Sequence, residues 1–149
     1  MSFSFSFETR ATPEQVVRAF TDTSEKRLEI WRGTLDPAQY EVRGQGDSWA
    51  VIKEGTAGTK LWVVLRYEWD TSGVVQWSMV ESNHCNRGTG LILVEPAPTG
   101  GSRVQVEIDH REGWGLRGRT ILGVQRVIGP VAFPRMWKKA LDRYALGSI

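Results

Sequence analysis

Phe3, Phe5 and Phe7 alternate with Ser2, Ser4 and Ser6 at the head of the chain, the period-two pattern of a strand with one buried and one polar face. Thr12-Pro13-Glu14-Gln15 follows. An N-cap threonine, a proline at the first helical position and a glutamine three residues after the cap predict a short helix to about Phe20, buried through Val16, Val17 and Phe20. Asp22 with Glu25 opens a second short helix carrying Leu28 and Trp31, which Gly33 and Pro37 stop. Strand-like runs are then expected at 39–44, 48–54, 60–70, 74–82, 88–96 and 103–111, separated by turn-forming clusters such as Thr71-Ser72-Gly73 and Pro96 to Gly101. The connections are short enough for antiparallel hairpins. The rest of the chain reads as helix.

Strand parity decides which side chains share a face. Val104, Val106, Ile108 and His110 alternate with Arg103, Gln105, Glu107, Asp109 and Arg111, so His110 is expected to point inward. If Thr71-Ser72-Gly73 is a three-residue turn, Trp69 lies opposite Val75 and Tyr67 opposite Trp77. Leu65, Tyr67, Trp69, Val75, Trp77, Met79 and Glu81 then share the inner face; a four-residue turn would exchange Tyr67 for Arg66. In the C-terminal helix, at ~100° per residue, Ile121, Val124, Ile128 and Val131 form one apolar stripe, and Phe133, Trp137, Leu141 and Tyr144 form another, well rotated from it. Pro130 and Pro134 lie between the stripes, so a kink or restart is expected there. The first half would lie over the sheet and the second would close one end.

Composition narrows the class without naming a function. A chain of 149 residues, 40% hydrophobic and 24% charged, has the size and balance of one globular domain spanning 1–149. Apolar runs fall short of the ~20 residues of a membrane span, and the N-terminal alternation is unlike a signal peptide. The single Cys85 has no internal disulfide partner, which fits a reducing, cytoplasmic setting. A net charge of +2 gives no argument for nucleic acid.

The order of strand, two short helices, six strands and long C-terminal helix, together with several local motifs, resembles the START-like (SRPBCC, Bet v 1-type helix-grip) superfamily, and within it the bacterial polyketide cyclase/dehydrase and lipid-transport group. The motifs are Thr12 to Val17 after the first strand, Val80-Glu81-Ser82 at a strand end, Pro96 followed by Gly100 to Val104, and the run Lys138 to Tyr144 in the last helix. The resemblance implies an α+β fold, with a curved antiparallel sheet of about seven strands wrapped around a long, kinked helix. It also implies a cavity between them for an apolar or aromatic small molecule. Members of that superfamily are carriers, sensors and enzymes, so the fold leaves function open.

The candidate chemistry is sparse. Gly113-Trp114-Gly115-Leu116-Arg117-Gly118 spells G-x-G-x-x-G, but no parallel strand follows the helix, so a flexible hinge or pocket gate fits better than a dinucleotide loop, and no cofactor is expected. His84 and Cys85 could act together only at a strand end or bulge, and zinc-type spacing is lacking; no metal site is expected. Inward His110 and Glu81 are the candidate base and acid of a cyclase or dehydratase, against the plainer roles of ligand anchor or buried structural group. Trp31, Trp49, Trp77 and Trp114 either stack on a planar ligand or fill the core. With Tyr67, Met79, Ile92, Val106, Ile108 and Ile121 they make the expected lining. The basic C-terminal helix, with Arg117, Arg119, Arg126, Arg135, Lys138, Lys139 and Arg143, reads as a solvated face or as a transient membrane-surface contact. Three functions remain open: a binding or transport protein for a small hydrophobic ligand, a cyclase/dehydratase, and a packed protein-interaction module. Oligomeric state is not legible.

Overall fold

The computed structural model describes residues 1–147. Its elements are β1 (Ser2–Thr9), α1 (Pro13–Thr21), α2 (Lys26–Ile30), β2 (Leu35–Gln45), β3 (Trp49–Thr56), β4 (Trp62–Trp69), β5 (Val74–Ser82), β6 (Cys85–Pro96), β7 (Ser102–Gly113) and α3 (Gly115–Ala145). All pairings in the seven-stranded sheet are antiparallel, in the order β1-β7-β6-β5-β4-β3-β2. Every strand after β2 pairs with its predecessor, and β1 closes onto β7 across the whole chain. The arrangement is α+β helix-grip, as the resemblance implies.

The expected local signals are present. Thr12 accepts from Gln15 N at 3.3 Å while Gln15 Oε1 accepts from Thr12 N at 2.9 Å, a reciprocal cap with Pro13 at the first helical position. Asp22 caps the turn before α2 instead of the helix itself: its Oδ1 accepts from Ser24 N at 2.8 Å, and α2 starts only at Lys26. In the β4–β5 hairpin Trp69 lies opposite Val75 and Tyr67 opposite Trp77, the register of the three-residue turn.

Two expectations need correction. The strict alternation that would aim Glu81 inward fails at Val80. Val64 pairs with Glu81 and Leu65 with Met79, leaving Val80 as an unopposed extra residue, a β-bulge that resets parity. Glu81 therefore faces outward, 54% exposed and 3.3 Å from Arg43, and Ser82 turns inward. The second correction concerns which face α3 buries; of the expected kink or restart, the restart is absent, since one helix runs through Pro130 and Pro134. The face it turns to the protein is not the Ile121, Val124, Ile128, Val131 stripe, of which Ile121 is half-buried and the other three are exposed. Gly118, Leu122 and Gly129 are the buried positions in the first half, continued by Gln125, Phe133, Met136 and Trp137 toward the interior. Glycine decides this phase. A Cβ at Gly129 would stand 2.6 Å from the Phe3 ring, so the missing side chain lets the helix axis settle directly on β1.

Hydrogen bonds fix the ends of α3. Asp142 accepts from Thr9 Oγ1 at 2.6 Å and from Arg10 N at 2.8 Å, and Arg143 donates to Ile30 O at 3.0 Å, tying the helix to β1 and α2. At the other end Gly113 and Gly118 pack against each other, and Gly115 adopts φ +59. The G-x-G-x-x-G motif is thus a tight turn from β7 into α3. A side chain at Gly118 would also collide with the His84 carbonyl.

Candidate ligand cavity

Between α3 and the concave face of the sheet lies a cavity of about 170 Å³. Its apolar wall comes from Phe20 on α1, Trp31 just after α2, Leu65 on β4, Trp77 on β5, Ile108 on β7, and Phe133, Met136 and Trp137 on α3. The aromatic members interlock. Ring centroids are 4.7 Å apart for Phe20 and Trp31, 5.3 Å for Phe20 and Trp137, and 5.9 Å for Phe133 and Trp137. Trp31 Nε1 donates to Ala19 O at 3.0 Å, so its only side-chain donor is satisfied. Trp77 lies across Gly90 on β6, where any Cβ would overlap its ring.

A charged constellation forms another part of the wall. Arg27, from α2, is 2% exposed, and Glu54, from β3, is 7% exposed. Glu54 has the parity of buried Ala50 and Ile52, which places its carboxylate on the inner face. Arg27 donates through Nε to Glu54 Oε2 at 3.2 Å and through Nη2 to Glu54 Oε1 at 3.3 Å, and its Nη1 donates to Phe20 O at 2.7 Å and Asp22 O at 3.2 Å. The guanidinium also lies 5.1 Å from the Tyr67 ring centre, and the Tyr67 hydroxyl donates to Glu54 Oε1. Burial opposes the charge on Arg27, but its partners together, Glu54 foremost and then Tyr67 and Tyr40, more than offset it and raise the arginine pKa. Burial, then the Glu54 charge, holds the Tyr67 phenol well above its ordinary pKa, so it remains a neutral donor.

Two imidazoles complete the polar wall. His110 points inward as expected, and Trp77 Nε1 approaches its Nε2 at 3.5 Å. Burial, reinforced by His84 and opposed by Asp109, lowers its pKa to about 4, so it is neutral at physiological pH. His84 occupies the bend between β5 and β6, where the Ser82 hydroxyl accepts from His84 N at 3.1 Å and from Cys85 N at 2.9 Å. Burial and then Arg117 lower the His84 pKa. Its Nδ1 lies 3.4 Å from Asn83 Oδ1, which selects the tautomer protonated at Nδ1 and leaves Nε2 an acceptor. His84 Nε2 and Gln125 Oε1 are buried without a partner, and both residues line the cavity.

The expected lining residues divide into three groups. Trp31, Tyr67, Trp77, Ile108 and His110 border the cavity. Ile92 and Val106 are buried in the core outside its border, Met79 packs partly buried against that core with Cys85 Sγ 3.6 Å from its Sδ, and Ile121 is half-buried on α3. Trp49 and Trp114 lie elsewhere. Trp49 has outward parity on β3 with the Arg66 guanidinium 4.6 Å from its ring centre, and Trp114, 46% exposed, donates to Asn86 ahead of α3. Glu81, outside, cannot share a substrate with His110. Arg27, Glu54, His84, Gln125 and Trp137 were absent from the expected site. The parity of Glu54 with Ala50 and Ile52 was a usable signal. Nothing in the sequence paired it with Arg27. Among the described residues no group of three His, Cys, Asp or Glu side chains is placed to hold a metal, and no helix is long and apolar enough to cross a membrane.

Neither family models nor curated sequences give a match to this chain. Solved structures do. It superposes on the Zhui aromatase/cyclase from Streptomyces sp. R1128 with a TM-score of 0.77 at 13% identity, over 96% of this chain and 94% of that one. A START superfamily protein from Mycobacterium smegmatis gives 0.73 at 13%, over 99% of both chains. Norcoclaurine synthase from Thalictrum flavum, in complex with dopamine and hydroxybenzaldehyde, gives 0.71 at 11%, over 100% of this chain and 88% of that one.

Proposed function

We propose that this protein, a single-domain cytoplasmic chain with the START-like helix-grip fold, binds a small aromatic molecule of one ring carrying a hydroxyl or amine, enclosed between α3 and the sheet. The observation that carries the reading is the 170 Å³ cavity with its aromatic wall and unpartnered polar atoms. An apolar cavity of about 150 Å³ accommodates benzene, whereas pockets for drug-sized ligands span roughly 300–1,000 Å³. A single substituted ring therefore fits; a long acyl chain or fused polyketide does not without opening α3. His84 Nε2 and the Gln125 amide oxygen are acceptors, and each leaves a buried polar atom unsatisfied until a ligand donor reaches it. The neutral state of both imidazoles favours an uncharged ligand over an anion. The fold-related norcoclaurine synthase holds dopamine and hydroxybenzaldehyde, both single-ring compounds.

Enclosure without turnover is the reading the geometry supports best. The proposed cyclase acid, Glu81, is on the wrong face, and Glu54 already accepts from Arg27 and Tyr67. A packed interaction module would lack the void.

Calorimetric titration with phenol, catechol, aniline and benzene, and with palmitate and naphthol as larger competitors, tests the proposal. One-ring donors should bind more tightly than benzene. Trp77→Ala should weaken them, and Gln125→Leu should do so by about 5–10-fold, the worth of one hydrogen bond. Binding of palmitate with no response to any one-ring compound would refute the size argument.

A further inference from the structure

The stripe that α3 turns away from the sheet is unusual for the outer face of a helix. Val124, Val127, Ile128 and Val131 stand at i, i+3, i+4 and i+7, and all are at least half exposed, Val127 to 75%. Leu116, 78% exposed, and Trp114 extend the ridge toward the start of the helix. From Leu116 to Val131 the ridge is ~22 Å long at 1.5 Å per residue. It projects from a single convex helix, so the complementary surface must be soft or grooved.

The charges around the ridge are of one sign. Between residues 113 and 141 the sequence contains Arg117, Arg119, Arg126, Arg135, Lys138 and Lys139 and no aspartate or glutamate. All six are exposed, and among the described residues only Lys138 has a carboxylate partner, Asp142 at 2.9 Å. A second copy docked by a two-fold axis would set Arg117 of one helix against Arg135 of the other with no carboxylate from that stretch between them, a repulsive arrangement. An anionic bilayer offers what the ridge lacks. Its headgroups supply negative charge, and its acyl boundary accepts Val, Ile and Leu side chains.

We infer that the outer face of α3 docks on the surface of an anionic lipid bilayer, with Val124, Val127, Ile128 and Val131 entering the headgroup region and the flanking arginines and lysines contacting lipid phosphates. The same helix roofs the cavity through Gln125, Phe133 and Met136. Docking therefore bears directly on the element that forms the roof of the cavity.

Co-sedimentation of the full chain with phosphatidylcholine vesicles containing 30% phosphatidylglycerol, and with pure phosphatidylcholine vesicles, tests this. The protein is expected to pellet with the anionic vesicles and to be released as salt shortens the screening length. Val127→Asp/Ile128→Asp should lower partitioning at least tenfold. Arg135→Gln/Lys139→Gln should lower it roughly 30-fold, at the usual worth of a basic residue near an anionic surface. Unfolding midpoints and one-ring ligand titrations of these variants should match the parent protein, since the substituted side chains are exposed. Failure to pellet with anionic vesicles, or pelleting that the ridge variants leave unchanged, overturns the inference. So does a dimer by light scattering that Val127→Asp/Ile128→Asp dissolves, because the face then belongs to a second copy.

Discussion

The cavity has two walls built by opposite means. Where α1 and α3 meet, Phe20, Phe133 and Trp137 interlock by shape alone, backed by Phe5 on β1, 5.4 Å from Trp137 and edge-on. At the α2, β3 and β4 side, Arg27, Glu54 and Tyr67 form a network in which each polar group relies on another. An aromatic wall loses stability in proportion to the volume removed, because its neighbours keep the rest of their contacts. A buried ionic wall fails as a unit, because deleting one member strands the charge of the next. The difference teaches that similar burial does not mean similar tolerance.

The sharpest break in this comparison is Arg27→Ala, which strands the Glu54 carboxylate. It should lower the free energy of unfolding in urea by about 3–5 kcal/mol, while Arg27→Met/Glu54→Leu should recover most of that loss. If the double variant is no better than the single one, the two residues do not act as a unit. On the aromatic side, Trp137→Ala should cost about 3 kcal/mol and Trp137→Phe about half as much, a graded response that urea midpoints would reveal. An all-or-none loss at Trp137 would erase the contrast.

His110 gives a smaller effect tied to pH. Its pKa is about 4 in the folded protein, against ~6.5 in an unfolded chain. Between those values the unfolded chain binds more protons, so stability is full above pH 6.5 and falls as pH drops toward 4. Allowing for its partial exposure, this amounts to about 2 kcal/mol. His110→Gln should flatten the slope of urea midpoint against pH between 6.5 and 4, and an unchanged slope would assign the acid sensitivity to other groups.

How far each wall could be foreseen follows the same division. The Phe3, Phe5, Phe7 alternation, the Thr12–Gln15 cap and the Tyr67–Trp77 register are short-range patterns, and the structure keeps each of them. Arg27 and Glu54 are 27 residues apart, and alternation rules assign lone charges to solvent unless a partner is known. The inward phase of α3 was hidden for another reason. Gly118 and Gly129 contribute little to an apolar pattern, yet steric access places them against the sheet while the valines stay outside. The placement of Glu81 depended on one unpaired residue that no periodicity announces.

That unpaired residue, Val80, also makes one site in the sheet tolerant of a change in chain length. Remove it, and Trp77, Met79 and Ser82 still face inward while Ser78 and Glu81 still face outward, because the shortened strand alternates without interruption. A one-residue deletion within the neighbouring regular stretch of β4 would instead turn the following side chains over. Homologous chains with this fold can thus differ by a residue at the end of β5 and keep the same cavity wall, so an alignment gap there carries no message about the ligand.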